Sequence, residues 1–211
     1  FTFEFVHYLV EMYYSRLPDH STLEFFSFAL FFPTLASGPI KRFPKFFDSI
    51  RQNVSFSEKY FLTGIFLILL GYSEKYFIAD NLVERTAFLS APNLVPSGMA
   101  AISGIFFYSF RIFFDFAGLS NIAIGSALLF GVEVPINFNY PYLRKDLAGF
   151  WKYWHMSLTS WIKDYVYMPI VFRFRNSKAI VFMAVIFTMG LIGLWHGSSW
   201  NFLFFGLYHG I

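Results

Sequence analysis

The residues best able to do chemistry here are histidines set in apolar sequence. Of five histidines in 211 residues, His155 sits in the tryptophan-rich stretch Phe150–Leu158. His196 closes the apolar run Ala179–Trp195. An imidazole held away from water stays neutral, because burial disfavours its charged form. A neutral imidazole can take the proton of a hydroxyl as that oxygen attacks a carbonyl. The alternative is that a histidine beside Trp195 only hydrogen-bonds a neighbouring helix. Arg111 and Asp115 form a second candidate, since the i,i+4 spacing puts both on one helix face. Inside an apolar segment such a pair is either a self-neutralising ion pair next to a cavity or a functional polar site. Other catalytic templates are absent: there is no G-x-S-x-G elbow, H-E-x-x-H, G-x-x-x-x-G-K or glycine-rich dinucleotide loop. Asn201 stands five residues after His196, so the H-x-x-x-x-D pattern is missing too. With no cysteine there is no disulfide, thiolate metal site or cysteine nucleophile.

These residues must be positioned by elements suited to a bilayer. The chain is 56% hydrophobic and 24% aromatic, with 14% charged residues; soluble domains average about 25% charged. A soluble fold of this length would lack the charges to cover its outside. The expected class is therefore an all-α, polytopic integral membrane protein, with the lipid bilayer as its first partner. A net charge of +3 is too small for a nucleic-acid binder. The basic residues cluster beside apolar spans instead: Lys41, Arg42, Lys45 and Arg51, then Arg144, Lys145, Lys152, Lys163, Arg173, Arg175 and Lys178. Both clusters are expected on the cytoplasmic side.

Phe25–Ser37 is apolar but shorter than the roughly 20 residues of a spanning helix, and Pro33 and Gly38-Pro39 interrupt it. A short or re-entrant segment is expected. Tyr60–Tyr72 is also short unless it runs on to Phe77, and Ala91–Gly98, with Pro92 and Pro96, reads as a loop. Val95–Phe116 is long enough to span. A separate small-residue-rich helix is expected over Gly118–Gly131, then a polar loop over Pro135–Arg144. Trp151, Trp154, Leu158, Trp161 and Tyr165 recur at steps of three and four, which predicts one amphipathic interfacial helix over Asp146–Tyr167. Ala179–Trp195 is a clear span, and Trp200–Ile211 begins another helix. Gly193-Leu-Trp-His-Gly197 and Gly206-Leu-Tyr-His-Gly210 repeat one pattern. Each sets two glycines at the spacing that lets membrane helices approach closely, so both are packing signals first. The chain begins without Met and ends inside an apolar run, and both ends read as cuts through a longer protein.

Four ordered blocks carry a resemblance. Asn137-Phe-Asn-Tyr-Pro-Tyr142, Phe150-Trp-Lys-Tyr-Trp-His-Met-Ser-Leu158 and Trp161-Ile-Lys-Asp-Tyr-Val-Tyr-Met-Pro169 form one run, and Gly193-Leu-Trp-His-Gly-Ser-Ser-Trp-Asn201 follows. Upstream stand Phe32-Pro-Thr-Leu-Ala-Ser-Gly-Pro-Ile40 and Phe113-Phe-Asp-Phe-Ala-Gly-Leu-Ser-Asn-Ile-Ala-Ile-Gly125. Together they resemble the membrane-bound O-acyltransferase family, most closely its bacterial branch. The sequence departs from the pattern at Asn121, where some members have Asp, and at Leu119, where Tyr is usual, so no role is carried to those side chains.

The resemblance implies residues 1–211 as a fragment of one membrane domain, multi-pass in a bacterial cell (inner) membrane, with short, re-entrant and interfacial helices around an intramembrane tunnel. It implies O-acyl transfer from a cytoplasmic donor, acetyl-CoA or an acyl-carrier thioester, with no tightly bound cofactor and no metal. The acceptor is an extracytoplasmic polymer or an SGNH-type partner protein. His196 takes the catalytic place and His155 is the second histidine of the site. Trp154, Trp195 and Asn201 are the neighbours expected to hold substrate. O-acetylation of a secreted polysaccharide is expected ahead of D-alanyl transfer toward teichoic acid. A transporter or scaffold subunit is the non-enzymatic alternative.

Overall fold

The computed structural model describes residues 2–52, 57–90 and 97–211, and these residues are helical with no strand among them. By its contacts the chain divides into two compact units, Phe1–Ser157 and Leu158–Ile211.

The first unit opens with α1 (Thr2–Tyr13), α2 (Thr22–Ala29), α3 (Phe32–Leu35) and α4 (Phe43–Gln52). The apolar stretch from Phe25 to Ser37 is thus two short helices, with Pro33 in the first turn of α3, where its missing N–H leaves no donor unmatched. Part of the first basic cluster folds as α4. Phe43, Phe46 and Phe47 recur at helical spacing and are buried with Phe28, Ala127 and Val132. Their rings meet edge to face, Phe28 with Phe43 at 5.2 Å and Phe28 with Phe46 at 5.5 Å, the favourable arrangement for aromatic quadrupoles. Lys41 is buried within this aromatic cluster, its Nζ 2.7 Å from Glu4 of α1 and 4.6 Å from the Phe28 ring centre. Glu4 also accepts the Lys41 backbone N–H, and His7 Nε2, one turn on, accepts that of Phe43.

A long helical run follows. α5 (Glu58–Tyr72) passes without a break into a π-helical segment, Ser73–Ala79, and then through short turns and α6 (Val83–Thr86) to Ser90. α7 (Gly98–Leu129) is one helix of 32 residues, not a span followed by a second helix from Gly118. Gly118 and Gly125 lie inside it because they are needed for close packing. A Cβ on Gly118 would stand 2.7 Å from the Gly71 carbonyl oxygen, and one on Gly125 would stand 2.5 Å from that of Gly64. The two pairs lie seven residues apart on both helices, so α5 and α7 run antiparallel in backbone contact. The expected loop 91–98 lies largely outside the described residues, as does the start of the Val95 span.

The largest correction concerns Asp146–Tyr167. The predicted single amphipathic helix is broken into α8 (Leu147–Tyr153), α9 (Met156–Ile162), a π-helical turn Lys163–Tyr167 and α10 (Met168–Arg173). The break falls at Trp154-His155, where Trp154 is extended and His155 has a φ of 46°. The aromatic stripe therefore does not lie along one continuous helix.

In the second unit α11 (Lys178–His196) packs against α12 (Trp200–Gly210). The repeated glycines make that contact as their spacing predicts. A Cβ on Gly193 would meet the Phe202 carbonyl, one on Gly206 would meet Met189 and Gly190, and one on Gly210 would stand 2.8 Å from Ile186 Cα.

Three helical runs, Glu58–Leu89, Gly98–Leu129 and Lys178–His196, are long and apolar enough to cross a membrane. At 1.5 Å per residue the first two reach about 48 Å and the third about 28 Å, against a hydrocarbon core of about 30 Å. Tilt or projection beyond the core accommodates the excess. Each leaves large apolar side chains on its surface, among them Phe66 and Leu69, Ile102 and Phe106, and Phe182 and Phe187. Lipid solvates such faces; water does not. Serines set the starts of α2, α5, α7 and α11: Ser21, Ser57, Ser97 and Ser177 each accept a first-turn backbone N–H.

Candidate active site

His155 is 7% exposed and holds a left-handed backbone conformation that a non-glycine residue adopts only when its surroundings enforce it. Those surroundings centre on Asn137. The Asn137 carbonyl accepts the N–H of Met156, directly after the histidine, at 2.8 Å. Its side-chain oxygen accepts the Ser157 hydroxyl at 2.6 Å, and its amide donates to Ser120 Oγ of α7 at 2.9 Å. Ser157 Oγ in turn accepts the Ile40 N–H at 3.0 Å. On the other side, Asn139 N–H reaches the Tyr153 carbonyl at 3.2 Å. One buried asparagine thus ties four segments together: the Pro39-Ile40 turn, α7, the Asn137–Asn139 loop and the turn that presents His155. The loop has no regular partner for its backbone, and asparagine, with donor and acceptor on one short side chain, meets that need.

The His155 ring lies edge-on to Phe116, with centres 4.6 Å apart. Trp154, expected to hold substrate, packs among rings, with Phe138 at 5.1 Å, Phe150 at 5.3 Å and Tyr142 at 5.9 Å. Its observed contacts make it a support for the turn that carries His155.

His196, Trp195 and Asn201 belong to the second unit. His196 ends α11, with the Trp195 ring 4.8 Å and the Phe202 ring 6.3 Å from its own. The expectation of a buried imidazole holds at His155. His196 lies at the surface of the described residues, as do Trp195 and Asn201. Gly197, Ser198 and Ser199 separate α11 from α12, so the histidine and Asn201 sit at the facing ends of two glycine-packed helices.

Arg111 and Asp115 do not pair as their spacing predicts. Asp115 binds Lys75 of the π-helical segment at 2.7 Å, and Lys75 also binds Asp80 at 2.6 Å. Arg111 donates to the buried Thr86 hydroxyl at 3.0 Å. The close approach of Gly71 and Gly118 brings the polar residues of the π-helical segment against α7, and cross-helix partners displace the local one. Beside them Asn121 donates to Glu74 at 2.7 Å.

A cavity of about 360 Å³ opens beside this pair, lined by Glu74, Ser120, Asn121, Asn137 and Asn139 with Phe113 and Phe138 as walls. A larger one of about 440 Å³ lies beside the first half of α4, lined by Lys41, Arg42 and Lys45 together with Asp48 and Glu133. Among the described residues no group of three His, Asp or Glu side chains is arranged to hold a metal ion. Sequence reasoning missed Asn137, Ser120, Ser157 and Glu74. The signal for Asn137 was its place in the Asn-Phe-Asn block. For Glu74 it was a carboxylate inside an apolar run.

A helical membrane architecture carrying this histidine turn defines the class, and comparison with known proteins names it. The chain belongs to the membrane-bound O-acyltransferase family, whose sequence profile matches residues 5–211. It is 33% identical, over its whole length, to the probable alginate O-acetylase AlgI of Azotobacter vinelandii, covering 42% of that protein. It is also 33% identical over its whole length to a teichoic acid D-alanyltransferase of Streptococcus thermophilus, covering 54% of it. Over 90% of this chain it is 34% identical to a peptidoglycan O-acetyltransferase of Helicobacter pylori, covering 36% of it. The chain thus spans between about a third and about a half of the length of these relatives.

Proposed function

We propose that this chain carries the acyl-transfer site of a membrane O-acyltransferase that modifies hydroxyls of an exported polysaccharide, with His196 as general base and His155 as second histidine. The observation that carries the reading is His155 itself: a buried imidazole in an enforced left-handed turn, gripped on both flanks by the Asn137–Asn139 loop. Strain of this kind concentrates where a side chain must be aimed. In the reaction, an acceptor hydroxyl loses its proton to His196 as its oxygen attacks the acyl carbonyl. The thiolate of a donor such as acetyl-CoA or an acyl-carrier thioester leaves and takes up a proton. Trp195 and Asn201 stand beside that histidine, and Trp154 beside the other, to hold substrate. Residues 1–211 form part of one multi-pass domain in a bacterial inner membrane, around a tunnel that joins a cytoplasmic donor to an extracytoplasmic polymer or SGNH-type partner.

Acetyl is the acyl group favoured here. The acetylating and D-alanylating relatives are similar in identity and the motifs divide: Gly193–Asn201 leans toward the acetylating members, and Phe32–Pro39 and Tyr165–Met168 toward the D-alanylating ones, with acetylation placed first. Membranes containing the full-length protein, given labelled acetyl-CoA or a labelled D-alanyl carrier protein, separate the two. Label from acetyl-CoA entering the polymer supports acetylation, and label entering only from the carrier moves the assignment to D-alanylation.

A further inference from the structure

The cavity between α5, α7 and residues 136–140 has a carboxylate, Glu74, in its wall. Glu74 is the one carboxylate among the residues that shape it, beside the phenol of Tyr140, and its hydrogen-bond partner Asn121 is neutral. The adjacent Lys75 does not balance it, because that ammonium is bound by two carboxylates, Asp80 and Asp115. Within a helix pair long enough to span a bilayer, a carboxylate at a cavity wall is costly and points to a ligand site. The rest of the wall is chemically specific. Asn121 and Asn139 bring amide oxygens, Ser120 brings a hydroxyl, and Phe113 and Phe138 bring aromatic rings. Carboxylate, amide oxygens and rings together suit an organic cation, through charge-assisted hydrogen bonds and the ring quadrupole. A divalent metal fits poorly, since no second or third carboxylate or histidine joins Glu74.

We propose that this cavity binds the primary ammonium group of a small organic ligand, with Glu74 as its counter-ion. Two sources present that chemistry: an aminoacyl group, which rests on the acyl-transfer reading above, and an amino sugar, which does not.

The test is calorimetric titration of full-length protein in nanodiscs at about pH 6.5, below the α-amino range, so that the amines are charged. The probes are D-alanine methyl ester against methyl lactate, and glucosamine against glucose. Each pair exchanges the ammonium for a hydroxyl. At least one ammonium probe should bind about tenfold or more tightly than its neutral counterpart. Glu74→Gln should abolish that preference with the thermal midpoint unchanged, and Glu74→Asp, which keeps the charge, should retain it. Preference for the alanine ester alone assigns an aminoacyl ligand. Preference for glucosamine alone assigns an amino sugar, and preference for both assigns ammonium recognition independent of the carrier. Equal binding within each pair, no binding of any probe, or a preference that survives in Glu74→Gln overturns the proposal. Because binding is read without turnover, that failure would leave the acyl-transfer reading intact.

Discussion

Asn121 of α7 donates its amide hydrogen to the Glu74 carboxylate across the α5–α7 contact at 2.7 Å. The pairing gives a partner to Asn121, one of the positions where this sequence departs from its family's block pattern. With Asp at position 121, as in some members, two carboxylates would stand within hydrogen-bond distance; the asparagine removes that repulsion and supplies a donor. Asn121→Asp should therefore destabilise the protein by about 1–3 kcal/mol, the cost of leaving a partly buried polar group badly matched. Adding Glu74→Gln should recover most of the loss, since Gln donates to Asp. Unfolding in detergent of the two single variants and the double variant checks this, and additive effects would show the residues to be uncoupled.

The glycine pairs should be equally sensitive. Gly71→Ala puts a Cβ 2.5 Å from the Gly118 carbonyl oxygen, and the helices must separate to admit it. A loss of about 1–3 kcal/mol is expected, as for other overpacked contacts. Gly98→Ala meets nothing within 4 Å and should leave the unfolding midpoint near wild type.

Asn137 is 1% exposed and fully engaged by Ser120 and Ser157. Asn137→Ala removes the acceptor of the Ser157 hydroxyl and the donor to Ser120, and should lower stability by about 2–4 kcal/mol, two lost buried hydrogen bonds at about 1–3 kcal/mol each, less relaxation. Because the same residue grips the His155 turn, activity per folded molecule should fall as well. Ser157→Ala keeps the Met156 contact and should cost less on both counts. Equal activity per folded molecule in Asn137→Ala would separate the turn from the chemistry.

A pH effect follows from His7 of α1. Burial, with Arg42 adding to it, pushes its pKa down from 6.5 to about 4, and its neutral Nε2 accepts the Phe43 N–H. The unfolded chain therefore binds more protons between those values. The stabilisation is complete above about pH 6.5 and is lost as pH falls toward 4, by roughly 3 kcal/mol in all. Unfolding midpoints from pH 7 down to 4 should drop less in His7→Gln than in wild type, and parallel curves would show that His7 is not the titrating group.

Much of this architecture was legible in the sequence. Composition indicated the bilayer, the apolar run after Lys178 marked α11, and the repeated glycine-histidine pentapeptides signalled the α11–α12 contact. The misreadings share one cause: side chains were assigned partners along their own helix when the partners lie across the fold. Periodicity made one helix of Asp146–Tyr167, because the Asn137 bonds that break it at His155 come from a segment far away in sequence. Local spacing paired Arg111 with Asp115, but Lys75 arrives only because Gly71 and Gly118 let two helices touch. The left-handed turn at His155 was out of reach for the same reason, since the Asn137–Asn139 loop that enforces it lies elsewhere in the sequence.

The central claim, that His196 carries acyl transfer, is tested most directly by His196→Gln in the full-length protein, with polymer acylation in cells read beside membrane abundance and thermal midpoint. Loss of a positioned base costs about 10²–10⁴-fold in rate, so acylation should fall by that factor with abundance and midpoint near wild type. His155→Ala should also lower it, and His209→Ala should do much less. A well-folded His196→Gln protein that acylates the polymer at the wild-type level would contradict the account.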